Sequence, residues 1–217
     1  MLTVVIPTLN ALQALPATLA AIGRHPVVVV DGGSDDSTVV VAHAAGARAI
    51  TAPRGRGGQL AAGISAVETP WVLLLHADTR LASGWRDVVA EHMRQSPDRA
   101  GYFRFAVDSA DPRARRLERW VAWRCRVLAL PYGDQGLLIS RALLDEVGGM
   151  RPLPLMEDVD LARRLGHRRL TALECSATTS AARWERDGWL PRSAKNLLCL
   201  AMYRAGVPIS FIHRLYV

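Results

Sequence analysis

Val27-Val28-Val29-Val30-Asp31-Gly32-Gly33-Ser34-Asp35-Asp36-Ser37-Thr38 is the stretch on which the reading of this chain turns. Four successive β-branched residues present no polar face. A strand of that kind has to be covered on both sides, as the strands of parallel sheets are. Asp31-Gly32-Gly33 then closes the strand with residues that tolerate a tight turn. Ser34 or Asp35 is placed to cap a following helix, roughly Ser37–Ala45.

The same rhythm extends in both directions. Upstream, Leu2–Ile6 is a short apolar run ended by Pro7, and Ala14–Ile22 has helical period with Leu15, Leu19 and Ile22 on one face. Downstream, Ala47–Thr51 reads as a strand and Gly58–Val67 as a helix. Trp71–Leu75 is a further strand, ending at His76-Ala77-Asp78. Strands alternating with helices predict an α/β fold with a mostly parallel central sheet flanked by helices. The second half is less regular. Gly101–Val107, Gly136–Ile139 and Leu170–Leu173 read as strands. Pro112–Leu130, Arg141–Val147, Met156–Leu165 and Pro191–Ala205 read as helices, the last with an apolar face carrying Leu197, Leu198 and Leu200. With no linker, repeat or low-complexity tract, residues 1–217 read as a single domain.

Composition narrows the partners. Half of the 217 residues are hydrophobic and 22% are charged, which suits a globular core rather than a disordered chain. The formal net charge is +7, which fits nucleic acid, an anionic membrane surface or anionic small substrates. Aromatic residues are 6% of the chain and do not interleave with the basic run Arg113, Arg115, Arg116 and Arg119, so no nucleic-acid platform is expected. Cys125, Cys175 and Cys199 are far apart and have no CxxC spacing. Neither a disulfide framework nor a zinc knuckle follows, and buried thiols are expected. The N-terminal MLTVVIPTLN reads as a strand rather than a signal peptide, and no apolar run reaches the length of a membrane span. A cytoplasmic protein is the expectation. One face of Pro191–Ala205 and of the tail Val207–Val217 is apolar, with Lys195, Arg204 and Arg214 nearby. That face would pack on the sheet, form a homodimer, or rest peripherally on the inner face of the membrane.

In an open parallel sheet, ligands sit beyond the carboxyl ends of the strands. The polar clusters of this chain recur there: Pro7-Thr8-Leu9-Asn10, Asp31 through Thr38, and His76-Ala77-Asp78-Thr79. The first turn lacks the glycines of a dinucleotide fold, and there is no P-loop, so nicotinamide and P-loop chemistry are disfavoured. Arg54-Gly55-Arg56-Gly57-Gly58-Gln59 leads into a helix, and its amides and guanidiniums could hold phosphate or base groups. Asp78 is a hard-oxygen ligand for Mg²⁺ or Mn²⁺, with a diphosphate supplying further ligands. Glu157-Asp158 opens a helix that continues to Asp160. Three acids in four residues exceed what helix capping needs, and one aimed into a cleft could act as general base. Gly133-Asp134-Gln135-Gly136 is a polar turn, and in Arg183-Trp184-Glu185-Arg186 the indole could stack on a sugar or base.

Val5 to Asn10, Val30 to Thr38, Leu75-His76-Ala77-Asp78 and Glu157-Asp158-Val159-Asp160-Leu161 resemble, in order and spacing, the family-2 glycosyltransferases of the GT-A fold, over roughly residues 2–165. The tail resembles the radical-SAM/selenodomain-associated, arsenosugar-biosynthesis-type subgroup. The resemblance implies transfer of a sugar from a UDP- or GDP-sugar to an acceptor hydroxyl, inverting and metal-dependent, with Mg²⁺ or Mn²⁺. It implies a nucleotide-binding half (1–100) and an acceptor-side half with C-terminal helices (101–217). Pro7, Thr8, Asn10, Asp31 and Gly33 would hold the nucleotide, with Asp31 near the base, and Arg56 and Gln59 would contact it. Ala77 and Asp78 would face the metal and diphosphate, with Asp78 as metal ligand. Gly133–Gly136 would line the acceptor side, and Gln135 and Trp184 would count among the residues that bind the nucleotide-sugar. Asp158, beside Glu157, matches the acid proposed as catalytic base. His76 stands where the first acid of the DxD motif is usual. That departure keeps open a non-catalytic nucleotide-sugar-binding protein, with nucleotidyl transfer as a further alternative.

Overall fold

The structure, a computed structural model, describes residues 1–216; the last residue of the tail segment considered above lies outside the described residues. The elements in chain order are β1 (Leu2–Thr8), α1 (Leu15–Ile22), β2 (Val27–Asp31), α2 (Thr38–Ala44), β3 (Arg48–Thr51), α3 (Arg56–Ser65), β4 (Trp71–Leu74), β5 (Thr79–Leu81) and α4 (Trp85–Gln95). They continue with β6 (Ala100–Asp108), α5 (Pro112–Leu128), β7 (Leu137–Ser140), α6 (Arg141–Glu146), α7 (Glu157–Leu165), β8 (Leu170–Ser180), α8 (Ala182–Asp187), α9 (Trp189–Arg204) and α10 (Ile209–Tyr216).

The strands form one sheet in the order β3-β2-β1-β4-β7-β6-β8-β5. β3, β2, β1 and β4 are parallel to one another, as the buried valine run predicts. β7 is antiparallel to both β4 and β6, β6 runs parallel to β8, and β5 is antiparallel to β8. The sheet is therefore mixed, its parallel character concentrated in the first hundred residues. It also curls. β4 and β5 are joined by residues 75–78, yet three strands lie between them in the sheet. Four spacings of about 4.8 Å exceed what a few residues at roughly 3.3–3.6 Å each can span once they include a turn, and Thr79 N–H does bond back to His76 O. The far edge has to bend round to meet the segment leaving β4, and this delivers Asp78 to the end of β8, where its carbonyl accepts from Ser180 N–H at 3.3 Å.

Alternate side chains of each strand feed two cores. Val5, Val28, Val30, Val72 and Leu74 pack with Leu60 and Ile64 of α3, Val159, Leu161 and Leu165 of α7, and Cys199, Leu200 and Ile212 of the last two helices. Val4, Ile6, Val27, Val29, Leu73 and Leu75 pack with α1 and with Trp85 and Val89 of α4 on the other face. The period of two in a strand thus divides one apolar run between two layers. All three cysteines are buried and free.

Several expectations need correction. β5 and α4 were not anticipated, and β8 runs seven residues past Leu173, to Ser180. Neither Ser34 nor Asp35 caps α2; Ser37 occupies the cap position without a side-chain bond, and Asp36 accepts from Thr38 N–H at 2.9 Å. On α9 the buried face is Trp189, Arg192, Cys199 and Leu200, while Leu197 and Leu198 are exposed.

The β1–β2 floor is tied by Gln59, whose amide donates to Thr8 O at 2.8 Å and Val30 O at 2.7 Å. Gln59→Leu removes both donations, leaving Thr8 O with Gly32 N–H (2.9 Å) and Val30 O with a long contact from Thr8 O–H (3.5 Å). It should lower unfolding free energy by about 1–3 kcal/mol, read as a shifted urea midpoint at constant slope. An unmoved midpoint would rule out the clamp.

Candidate active site

The first polar layer is the turn after β2. Asp31 is 3% exposed, and its carboxylate accepts from Gly33 N–H (2.9 Å), Ser34 N–H (2.8 Å), Ser34 O–H (2.5 Å) and Thr8 O–H (3.1 Å). Burial raises its pKa, but the Ser34, Gly33 and Thr8 donors outweigh burial and hold the carboxyl below the usual range. Gly33 sits at φ +87°, where a side chain would be strained. Ser34 Oγ in turn accepts from Asn10 N–H at 2.8 Å, and Asn10 Oδ1 accepts from Asp35 N–H at 3.0 Å. Asp31 therefore holds the loop, while Asn10 reaches the cleft wall beside Asp78.

The second layer gathers around Arg56, the first residue of α3. Its Nε lies 3.0 Å from Glu157 Oε1, and its Nη1 lies 3.4 Å from His76 Nε2. A guanidinium only donates, so the near imidazole nitrogen is the unprotonated one. Burial, then the charges of Arg56 and Arg183, hold the His76 pKa well below its usual value, so the ring is neutral. Glu157 is 1% exposed, and neither of its oxygens receives a well-aligned hydrogen bond among the described residues. Its contact with Arg56 is one of charge. Burial pushes its carboxyl up to about 7; Arg56 opposes that and Asp158 adds to it.

Asp158 is the next residue along α7. Its Oδ2 accepts from Gly133 N–H at 2.8 Å and its Oδ1 from Val159 N–H at 2.7 Å. Gly133 has no room for a side chain, because a Cβ there would stand 2.5 Å from His76 Nε2. Two of the carboxylate's four lone-pair sites are taken, and two remain for the cleft it lines. Asp160 is committed elsewhere, paired with Arg151 (3.0 Å) and Arg164 (2.7 Å). The excess of acids in the first turn of α7 is thus explained residue by residue.

One cleft collects Arg56, His76, Asp78, Asp134, Asp158, Arg183 and Trp184, and is closed on its far side by Arg192, Asn196 and Tyr216 of α9 and α10. An adjoining one shares Asp78 and Arg183 and extends to Asn10. Of the residues expected to act together, Asn10, Arg56, Asp78, Asp158 and Trp184 line these clefts. Pro7 and Thr8 are buried in β1, Ala77 accepts from Thr18 O–H, and Gln59 clamps the strands below. Gln135 is turned inward as well: its Oε1 accepts from Arg124, Cys125 and Tyr132 N–H, and its amide donates to Phe103 O at 3.1 Å. Its neighbour Asp134 lines the cleft instead, with a buried Oδ1 that has no partner among the described residues. Burial, opposed by Arg124 and helped by Asp158 and Asp78, pushes the Asp134 carboxyl up to about 6. A three-residue turn at Gly133–Gln135 decides which of the two side chains faces the cleft, and residue type alone does not reveal it.

Among the described residues no three His, Cys, Asp or Glu side chains converge as a closed metal cage. Mg²⁺ characteristically uses one or two carboxylates plus substrate phosphates. Asp78 and the unpartnered oxygen of Asp134 on the same cleft fit that pattern, with His76 engaged by Arg56 instead.

Residues 3–154 match the family described as glycosyl transferase family 2. Over 84 residues, 38% of this chain, the sequence is 43% identical to the uncharacterized glycosyltransferases Rv0539 of Mycobacterium tuberculosis and Mb0553 of Mycobacterium bovis; the match spans 38% of the length of each. Among solved structures, S. aureus TarS 1–349 superposes with a TM-score of 0.65 over 99% of this chain and 69% of that chain, at 14% identity. Glucosyl-3-phosphoglycerate synthase from Mycobacterium tuberculosis, in complex with Mn²⁺, UDP and glucosyl-3-phosphoglycerate, gives 0.60 over 96% of this chain and 81% of that chain, at 18% identity. These likenesses show a GT-A fold.

Because the folded Glu157 keeps its proton to higher pH than the unfolded chain, its contribution to stability is full below about pH 4.5 and is lost as pH rises through about 7. Glu157→Gln removes that titration. Its stability deficit relative to the parent should shrink by about 1–3 kcal/mol between pH 5 and pH 8, measured by urea unfolding. A deficit that grows with pH would contradict the assignment.

Proposed function

The chain belongs to glycosyl transferase family 2, and on that premise we propose that it moves a hexosyl group from a UDP- or GDP-sugar to an acceptor hydroxyl with inversion. The observation that carries the reading is the single cleft shared by Asp78, Arg56, Arg183 and Asp158. Similar structures have been solved with UDP-GlcNAc, and with Mn²⁺ and UDP-glucose, which supports a nucleotide-sugar donor. The Arg183-Trp184-Glu185-Arg186 tail supports a place near the radical-SAM/selenodomain-associated subgroup.

In this reading the acceptor oxygen attacks the anomeric carbon from the face opposite the diphosphate. The new C–O bond forms as the bond from that carbon to the diphosphate oxygen breaks. Asp158 takes the hydroxyl proton, its free lone pairs turned to the cleft because Gly133 and Val159 N–H occupy the others. Arg56 and Arg183 neutralise charge on the departing diphosphate. A Mg²⁺ or Mn²⁺ ion held by Asp78, with Asp134 beside it, would supply further charge stabilisation to that leaving group. Trp184, 8% exposed, offers its edge to the acceptor; its Nε1 is buried and without a partner among the described residues. In this reading the transfer takes place in the cytoplasm.

Asp158→Asn should lower turnover by about 10²–10⁴-fold while nucleotide affinity stays within about twofold; near-parental turnover would remove Asp158 as the base. Asp78→Ala should abolish the Mn²⁺-dependent part of UDP or GDP binding by calorimetry, and unchanged binding would refute its role. If the parent binds nucleotide-sugar with no turnover on any acceptor supplied, the non-catalytic reading takes over.

A further inference from the structure

Helix α5 turns Ala114, Val121 and Cys125 into a small core with Trp184 and Trp189, and its Arg124 lies 3.5 Å over the ring of Tyr132 on the cleft wall. Its other side is unlike the rest of the surface. Arg116, Trp120, Trp123 and Val127 are spaced i, i+4, i+7 and i+11 and so share one outward stripe. Trp120 and Trp123 are 42% and 40% exposed, with their rings stacked at 4.8 Å. Neither indole is needed by the core beneath, and a stacked indole pair is a large apolar area to leave in water.

The charges around the pair say what covers it. Arg113 and Arg115, near the start of α5, are tied to Asp111 and Glu118. Arg116, Arg119 and Arg126, which flank the indoles, join no ion pair among the described residues, and the stripe carries no carboxylate. A second copy docking here about a two-fold axis would press these guanidiniums against one another, which disfavours self-association. An anionic bilayer meets both features: indoles sit at the level of the headgroups, and guanidiniums reach the lipid phosphates.

We propose that the outward face of α5 docks the protein on an anionic lipid surface. This does not rest on the sugar-transfer reading, and its test uses no sugar. The full chain is sedimented with vesicles of phosphatidylcholine alone and of phosphatidylcholine mixed with phosphatidylglycerol, at low and high salt. The parent should partition onto the mixed vesicles only, and less so at high salt. Trp120→Ser/Trp123→Ser should lose at least about tenfold of that partitioning. Arg116→Gln/Arg119→Gln/Arg126→Gln should lose about fivefold for each charge removed. All five side chains are on the surface, so the variants should keep the parental melting temperature. Leu190→Ser/Phe211→Ser, on the exposed faces of α9 and α10, should bind like the parent. Parental protein that stays in solution, α5 variants that bind undiminished, or loss confined to the Leu190/Phe211 variant overturns the proposal. A dimer in ultracentrifugation that the tryptophan variant dissolves, without any vesicle binding, overturns it equally.

Discussion

Glu157 is a carboxyl group almost sealed from water, and Arg56 Nε stands 3.0 Å from it. A buried acid with no cation would keep its proton or resist burial, and a cation with no acid would not sit at the start of α3 against an imidazole. This one pair joins three distant pieces of chain: the glycine-rich entry to α3, the end of β4 through His76, and the first turn of α7. The residue that follows Glu157 is Asp158, so the position of the proposed base is inherited from a charge contact one residue away. Gly133, held bare by His76, completes the link by pointing its N–H at Asp158.

The cleft draws on chain segments more than a hundred residues apart, and the two-faced sheet makes that possible. Each strand gives alternate side chains to opposite cores, so strand ends rather than strand faces are left for polar chemistry. Where a strand end could have been left unsatisfied, a buried polar side chain fills it: Gln59 under β1 and β2, Gln135 under the turn before β7. Both were read from the sequence as ligand contacts, and both spend every polar atom inside the protein.

The parallel strands were legible because a doubly covered strand must be apolar throughout, and Val27–Val30 leaves no other reading. β5 was not, because Thr79-Arg80-Leu81 has no pattern of its own and becomes a strand only by pairing with the far end of β8. The end of β8 was obscured for a similar reason: Glu174 to Ser180 is small and polar, and its alternation is visible only in burial. α4 did carry a readable signal, with Trp85, Val89 and His92 buried at helical spacing. Within the site, Asp78 and Asp158 follow from strand end and helix start. Asp134 and Tyr216 do not, because a three-residue turn and the path of the last helix decide where they point.

The short jump from β4 to β5 has a consequence for how the molecule comes apart. β5 belongs to the first hundred residues, yet its partner strand is β8; β7 comes from the second half, yet it lies against β4. A cut near residue 100 would break both of these pairings, leaving β4 and β7 with open edges and β5 with no partner strand, so it would not yield two closed modules. Such interleaving couples distant stretches into one cooperative unit. It delays folding until contacts across the whole chain have formed, and it lets a disturbance at either end of the sheet be felt at the aspartates between them.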